Sequence, residues 1–231
     1  MTEFSTRAVH AGQEPDETTG AVIPPIHLTS TYVQDGVGGM RNGYEYSRAG
    51  NPTRDSLQVL LADLDGGVAA SSFASGLAAE DALLRAALVP GGRVVMGNDV
   101  YGGTHRLVSR LHVPWGVELV VVDMSDLDQV RAALQGAPAT TVLWVETPTN
   151  PLMKIADIAA LATLGHESGA LVVVDNTFAS PYLQQPLSLG ADVVVYSTTK
   201  YLGGHSDVVG GAVVLADEEL AAKVQFLQFG A

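Results

Sequence analysis

ADVVVYSTTKYLGGHSD, residues 191–207, places a lysine just beyond a short run of apolar residues. The run at 193–195 predicts a buried strand, because continuous apolar residues are typical of strands covered by helices on both faces. Lys200 follows that strand, among hydroxyl groups and before two glycines. A lysine held there can lose its proton and bind a carbonyl cofactor covalently. A surface lysine at a strand end is the more ordinary interpretation, so the rest of the chain must decide.

The chain beyond about residue 68 alternates short apolar runs with helical patterns, which predicts an α/β fold with a mostly parallel sheet. The predicted strands are 68–74, 93–96, 118–122, 141–145, 171–174, 193–195 and 213–215. The predicted helices are 76–88, 104–111, 130–134, 155–165 and 217–226. Ser125 has the capping-box spacing before the third helix and is predicted to cap it.

Residues 1–56 differ from the rest, because they are rich in Pro, Gly and Thr and show little periodicity. A long irregular stretch in a compact protein is usually a functional loop, an interface arm or disorder. The segment GYEYSRAGNPTR at 43–54 contains two tyrosines and two arginines, which favour an ordered contact surface. We therefore predict an arm over 1–56 that contacts a neighbouring subunit, and a large domain over 57–231.

Composition excludes several classes of function. The net charge is −13 and the basic residues are scattered, which argues against a nucleic-acid partner. Cysteine is absent, so disulfides and thiolate metal sites are excluded, and the histidines show no metal-ligand spacing. The N-terminus lacks the apolar core of a signal peptide, and no stretch approaches the roughly 18 apolar residues of a membrane span. We expect a cytoplasmic protein without a metal or a membrane partner.

Polar residues follow several predicted strands, at the edge where open α/β sheets bind ligands. Asp175 closes LVVVD, where a carboxylate is costly to bury without a cation such as a pyridinium nitrogen. A helix cap or a metal ligand is the alternative. Ser75 and Gly76 lie between a strand and a helix, where backbone N–H groups can bind phosphate, unless the glycine only marks a turn. A dinucleotide site is poorly supported, because no GxGxxG motif is present.

Four further residues are weaker candidates for the same site. The hydroxyl groups of Ser197 and Thr199 precede Lys200 and can donate to a phosphate. Tyr101 lies in a glycine-rich turn, where its ring can stack on a flat ligand, although core packing is commoner for such a tyrosine. Asn150 lies in ETPTNP, whose prolines predict an extended loop that presents the side chain rigidly.

Together these segments resemble the Cys/Met-metabolism family of pyridoxal 5'-phosphate (PLP) enzymes, which contains cystathionine γ-synthase, cystathionine γ-lyase and methionine γ-lyase. The resemblance is closest to the bacterial γ-synthase and γ-lyase branch. It implies the α/β large domain of a PLP-dependent transferase, with the aspartate aminotransferase-like fold of type I. The matching segments occur in the family's order over nearly the whole chain: 44–54, 75–79, 99–104, 146–151, 174–181 and 197–207.

The resemblance implies a role for each candidate residue. Lys200 would bind PLP as a Schiff base and carry protons between substrate carbons, and Tyr101 would stack on the ring and assist proton transfer. Asp175 would pair with the pyridine nitrogen, and Asn150 would contact the ring hydroxyl. The phosphate would be held by Gly76, Leu77, Ser197 and Thr199. The complete set implied for the cofactor is Tyr46, Arg48, Gly76, Leu77, Tyr101, Asn150, Asp175, Thr177, Ser197, Thr199 and Lys200.

The implied activity is γ-replacement, in which cysteine displaces the acyl group of an O-acyl-homoserine to form cystathionine. Cleavage of cystathionine by γ-elimination is the alternative. The implied partners are these small amino acids and further copies of the chain, as a dimer of dimers in which Tyr46 and Arg48 reach a neighbour's phosphate. Family members are longer and have a C-terminal small domain that binds the substrate carboxylate. We expect that domain to be missing here, which leaves a PLP-binding fragment without turnover as another alternative.

Overall fold

The computed structural model describes residues 3–230, and its centre is a seven-stranded sheet. The spatial order is β1-β7-β6-β5-β4-β2-β3, and β7 alone runs antiparallel to its neighbours. The predicted α/β class with a mostly parallel sheet is therefore confirmed. The strands are β1 (Ala69–Phe73), β2 (Arg93–Gly97), β3 (Glu118–Val122), β4 (Thr141–Glu146), β5 (Leu171–Asp175), β6 (Val193–Tyr196) and β7 (Gly211–Leu215).

Eight α-helices lie within the described residues, and each predicted helix has a counterpart among them. A π-helical turn at Val108–His112 extends α4, and a 3₁₀ turn occupies Pro186–Leu189. The helices are α1 (Phe4–His10), α2 (Pro52–Asp65), α3 (Gly76–Ala87), α4 (Gly102–Leu107), α5 (Leu127–Leu134), α6 (Ile158–Glu167), α7 (Ser180–Leu183) and α8 (Glu218–Gly230). No helix within residues 3–230 has the length and apolar character needed to cross a membrane.

Both faces of the inner strands β4, β5, β6 and β7 are buried, which explains why these strands are mostly continuous apolar runs, whereas the edge strand β3 is partly exposed. Successive side chains of a strand point to opposite faces. Val193 and Val195 of β6 accordingly pack in the core beneath α3 and α8, whereas Val194 and Tyr196 pack in the core beneath α2. Helices α5 and α6 cover the same face as α2, farther along the sheet. This three-layer packing fixes the strand ends at which the candidate residues lie.

The cap of α5 differs from the predicted one. Asp126, and not Ser125, caps the helix, because its carboxylate accepts the N–H groups of Asp128 and Gln129, each at 3.1 Å. The backbone N–H and the hydroxyl group of Ser125 both donate to Asp123 instead. The capping-box spacing therefore placed the cap one residue too early.

The N-terminal region contains more helix than its composition predicts. Helix α1 is tied to α2 by an ion pair between Arg7 and Asp63 at 2.8 Å. The predicted boundary after residue 56 falls inside α2, which begins where Asn51 caps the helix and Pro52 opens it. That Asn-Pro pair is a helix-start signal that the sequence reading missed. The outer limits of the two predicted units, residues 1 and 231, lie outside the described residues.

Candidate active site

A cleft opens at the carboxyl edge of the sheet. The turns after β1, β2, β4, β5 and β6 line it, as expected for a ligand site of an open α/β sheet. Most of the predicted cofactor residues meet there: Gly76, Leu77, Tyr101, Asn150, Asp175, Thr177, Ser197, Thr199 and Lys200. Residues from five separate turns thus converge on one space.

Lys200 lies in the turn after β6 with its side chain exposed to the cleft. The turn is held through its backbone, because the N–H of Lys200 donates to Ser197 at 3.1 Å and the N–H of Gly204 donates to Lys200 at 2.8 Å. Its amine forms no ion pair with any residue between 3 and 230. No acidic side chain of the described residues therefore holds this amine, and the side chain lines the cleft.

Asp175, the last residue of β5, supplies a buried negative charge to the cleft. It is 6% exposed, and Oδ1 accepts the N–H of Thr177 at 3.0 Å. Burial raises the pKa of its carboxyl, and the hydrogen bonds from Thr177 oppose that rise. No Lys, Arg or His in the described part of the chain forms an ion pair with it. The carboxylate thus lacks a cation, which a pyridinium ring would provide.

The N-terminus of α3 provides a place for an anion. Ser75 caps the helix by accepting the N–H of Ala78 at 3.1 Å, so the N–H groups of Gly76 and Leu77 remain for a ligand. A Cβ atom on Gly76 would lie 3.0 Å from Cβ of Ser197, so glycine allows this close approach. These donors and the hydroxyl group of Ser197 fit a phosphate.

Thr199 lines the cleft, but its hydroxyl group is engaged elsewhere. It donates to the carbonyl oxygen of Gly210 at 3.1 Å and accepts the N–H of the same residue at 3.0 Å. This pair of bonds joins the Lys200 turn to the start of β7. In this structure Thr199 therefore stabilises the turn, and its role as a phosphate donor stays a prediction.

The loop that carries Asn150 is compact, whereas the sequence predicted an extended loop. Residues 147–152 form bends and a turn, in which the N–H of Met153 donates to Thr149 at 3.1 Å. The side chain of Glu146 explains the difference, because it accepts the N–H of Asn150 at 2.7 Å and draws the loop back onto β4. Asn150 nevertheless lines the cleft.

Two buried acids in the cleft had no role in the sequence analysis. Glu146 is 6% exposed, and burial followed by the nearby charge of Asp175 raises its pKa to about 8. Glu80 of α3 is 3% exposed, and burial followed by Asp175 raises its pKa well above the ordinary value. Glu146 ends an apolar strand, as Asp175 does, so the same pattern could have identified it.

Tyr46 and Arg48 do not line the cleft of their own chain. The guanidinium group of Arg48 donates to the carbonyl oxygen of Phe229 and lies 5.5 Å from the ring centroid of Tyr46. It also lies 5.0 Å from the ring centroid of Phe229. The two residues are therefore separated from the other cofactor candidates within one chain.

A free lysine, a buried carboxylate without a cation and a helix N-terminus around one cleft define an α/β protein that binds a phosphorylated carbonyl cofactor with a cationic ring. The residues present fit PLP. No group of three or more acidic or histidine side chains within residues 3–230 is arranged to hold a metal ion.

Comparison with known proteins also indicates a PLP-binding protein and identifies its family. Residues 5–231 match the model of the Cys/Met metabolism PLP-dependent enzyme family, and the chain belongs to that family. The predicted family and its cofactor are thereby confirmed, and so is the predicted fold class.

The relatives carry more than one activity in their names. The chain is 58% identical over 227 residues to a cystathionine gamma-synthase of Mycobacterium tuberculosis, which covers 98% of this chain and 58% of the relative. It is 49% identical over 228 residues to a cystathionine beta-lyase of Lactococcus lactis, and the match covers 99% of this chain and 59% of the relative. The crystal structure of metB from Corynebacterium glutamicum superposes with a TM-score of 0.96 at 50% identity. The superposition covers 100% of this chain and 59% of that structure's chain. The chain thus spans less than two thirds of these relatives.

Gly211 at the start of β7 packs directly against the phosphate turn. A Cβ atom there would lie 2.2 Å from the carbonyl oxygen of Ser75 and 2.7 Å from Cα of Gly76, and backbone atoms would have to move. Gly211→Ala is therefore expected to weaken PLP binding and to cost about 1–3 kcal/mol in the free energy of unfolding. Equilibrium titration with PLP and thermal unfolding measure both effects.

The matched control for this prediction is Gly165→Ala in α6. Its Cβ atom would meet the Val172 side chain at 2.5 Å, away from the cleft. It is expected to lower the melting temperature without changing PLP affinity. Equal losses of PLP affinity in both variants would show that Gly211 has no particular effect on the phosphate turn.

Proposed function

We propose that this protein is a PLP-dependent trans-sulfuration enzyme of the cystathionine γ-synthase type. The reaction is the replacement of the acyl group of an O-acyl-homoserine by cysteine, which yields cystathionine and the free carboxylic acid. The observation that carries the proposal is the convergence of Lys200, Asp175 and the N-terminus of α3 on one cleft. The 58% identity to a γ-synthase supports this activity over others in the family.

Bound PLP withdraws electrons and thereby stabilises negative charge on the carbon atoms of an amino-acid substrate. The residues of the chain perform the remaining tasks. Lys200 would hold the cofactor through its amine and would remove and return protons at the substrate carbons. Asp175, which is buried and forms no ion pair within residues 3–230, would supply the negative charge that keeps the ring nitrogen protonated. The N–H groups of Gly76 and Leu77 bind the phosphate and fix the cofactor's position.

Tyr101 and Asn150 complete the cleft on its remaining sides. The Tyr101 ring is half-exposed and can stack on the cofactor, and its hydroxyl group can assist proton transfer. The Asn150 amide can contact the ring hydroxyl. Phe178 and Val209 add apolar walls that the sequence analysis did not anticipate.

An eliminating activity is the second candidate, because a solved structure at 46% identity is named a cystathionine gamma-lyase and a relative at 49% identity is named a cystathionine beta-lyase. Cleavage of cystathionine at the γ-carbon needs the same lysine and the same ring environment. The two reactions differ in whether cysteine or water completes the reaction. Side chains around the γ-substituent would make that choice.

We also propose a dimer of dimers in which the N-terminal arm contacts a neighbouring subunit. Tyr46 and Arg48 would bind the phosphate of that neighbour's cofactor. The exposed apolar side chains of the arm support this arrangement, because large exposed apolar patches mark contact surfaces. Those side chains include Val22, Ile23, Ile26, Leu28, Val33 and Val37.

Steady-state assays test the proposed reaction. The PLP-loaded protein is incubated with O-succinylhomoserine or O-acetylhomoserine and cysteine, and separately with cystathionine. A higher kcat/KM for cystathionine formation than for α-keto acid release from cystathionine is expected. Faster keto-acid release would favour the eliminating activity. If PLP is bound and neither product appears, the chain binds PLP without turnover and the proposed reaction is wrong.

A further inference from the structure

The carboxylate of Glu146 joins two turns that line the cleft. Glu146 is the last residue of β4, and Oε2 accepts the backbone N–H of Tyr101 at 2.7 Å. Oε1 accepts the backbone N–H of Asn150, also at 2.7 Å. Tyr101 and Asn150 belong to turns that follow different strands, so one side chain fixes the distance between the turns.

Asp99 makes a second connection between the same turns. Here the accepting carboxylate lies in the turn after β2 and the donors lie in the turn after β4. Asp99 lies in the turn of Tyr101, and its Oδ2 atom accepts the hydroxyl proton of Thr149 and the N–H of Leu152, the latter at 3.1 Å. The turn after β2 and the turn after β4 are therefore held together by two carboxylates. We call Asp99 and Glu146 the carboxylate clamp.

The clamp is costly for folding. Both residues are 6% exposed, and neither forms an ion pair within residues 3–230. A buried carboxyl group without a cation is unfavourable in its ionised form even when N–H groups donate to it, which is why burial raises the pKa of Glu146. Glu146 is also paired in register with Asp175 on β5, so two acidic side chains lie on neighbouring strand ends. The backbone pairing of β4 does not require either side chain.

We propose that Glu146 is a positioning residue for the cofactor, and that Asp99 supports it. By holding the backbone at Tyr101 and Asn150, the clamp keeps the Tyr101 ring and the Asn150 amide directed at the space beside Asp175. This role rests on the proposed function, because it assumes PLP in the cleft. Glu146 itself lines the cleft, and the proposed role is the one that it exerts through the backbone of two other residues.

Glu146→Gln tests the proposal with little change in volume. The amide keeps one accepting oxygen and replaces the other with an NH₂ group that only donates, so one backbone N–H loses its acceptor. We expect the PLP dissociation constant to rise about tenfold in a folded protein. Titration of the apoprotein with PLP, followed by absorbance and by circular dichroism in the cofactor band, reports affinity and ring orientation together.

Asp192→Asn is the matched control. Asp192 also accepts a backbone N–H, that of Val172 at 2.7 Å, but it precedes β6 at the opposite edge of the sheet. This variant is expected to lower the melting temperature and leave the PLP dissociation constant and the dichroism unchanged. A loss of affinity equal to that of Glu146→Gln would contradict a positioning role.

Combining Glu146→Gln with replacement of the two residues that it positions separates a positioning role from general destabilisation. With Tyr101 and Asn150 both replaced by alanine, Glu146→Gln should change PLP affinity by less than about twofold, because the residues it positions are gone. A full tenfold loss in that background overturns the proposal, as does an unchanged affinity and spectrum in the wild-type background. If Glu146→Gln does not fold, Asp99→Ala, which removes both connections made by Asp99, is judged by the same criteria. Failure of the unmutated protein to bind PLP would refute both this role and the proposed function.

Discussion

Lys200→Ala is expected to abolish covalent PLP attachment and to lower kcat by at least about 10³-fold, because both the bond to the cofactor and the proton carrier are lost. The fold should be retained. The Lys200 side chain is exposed and forms no ion pair within residues 3–230, so the melting temperature should stay within about 2 °C. Absorbance of the bound cofactor, steady-state rates and thermal unfolding measure the three effects.

Lys223→Ala is the control for that variant. Lys223 lies on α8, outside the cleft, and pairs with Glu219 at 2.7 Å on an exposed helix face. Its removal should leave PLP attachment and rate unchanged. Turnover by Lys200→Ala within tenfold of the wild-type rate would contradict the proposed mechanism.

Asp175→Asn is expected to have opposite effects on PLP affinity and on the stability of the protein without PLP. Removing the charge that pairs with the ring nitrogen should weaken PLP binding by about 3 kcal/mol, or roughly 100-fold. The neutral amide is cheaper to bury, and its oxygen can still accept the N–H of Thr177. The apoprotein should therefore gain about 1 kcal/mol, or 2–4 °C in melting temperature. PLP titration and thermal unfolding of the apoprotein measure the two changes.

The pH dependence of that gain has a definite sign. Burial raises the pKa of the Asp175 carboxyl above its unfolded value, so its ionisation is less favourable in the folded protein. The free energy of unfolding of the wild-type apoprotein therefore falls as the pH rises from the unfolded pKa of Asp175 through its folded pKa. The Asp175→Asn variant has no carboxyl group at this position and does not lose this stability. The advantage of the variant should therefore grow with pH. A variant with normal PLP affinity, or one that is less stable than wild type at neutral pH, would count against the pairing role.

Asp65→Asn provides a control with similar chemistry. Asp65 is also buried, burial raises its pKa to about 7, and it accepts the hydroxyl proton of Tyr196 at 2.8 Å. It does not line the cleft. Its replacement should leave PLP affinity unchanged, which would show that the loss in Asp175→Asn depends on position.

Local sequence was sufficient to place Lys200 and Asp175 at strand ends that line the cleft, whereas their roles stay predictions. Each follows a continuous apolar run, and the run fixes a buried strand whose end lies at the ligand edge of the sheet. The same local signals predicted the helix after Ser75, where a capping residue and a glycine precede a series of good helix formers. These features depend on neighbours in sequence, which is why the sequence was enough.

Features that depend on tertiary contacts were not predictable in this way. The direction of β7 and its position between β1 and β6 bring Gly211 onto the Ser75 turn, and nothing near Gly211 in sequence indicates that contact. Glu146 acts through a residue 45 positions away. Its buried position at a strand end was visible in the sequence, but its partner was not.

The most direct test of the central claim is to reduce the PLP-incubated protein with borohydride and map the modified peptide. The chain has three lysines, and Lys154 is held by Asn98 at 3.0 Å and Asp123 at 3.1 Å, away from the cleft. Lys223 is also outside the cleft. We predict a single stable adduct on Lys200. Label on Lys154 or Lys223 instead, or no label on any lysine, would contradict the assignment of this cleft as a PLP site.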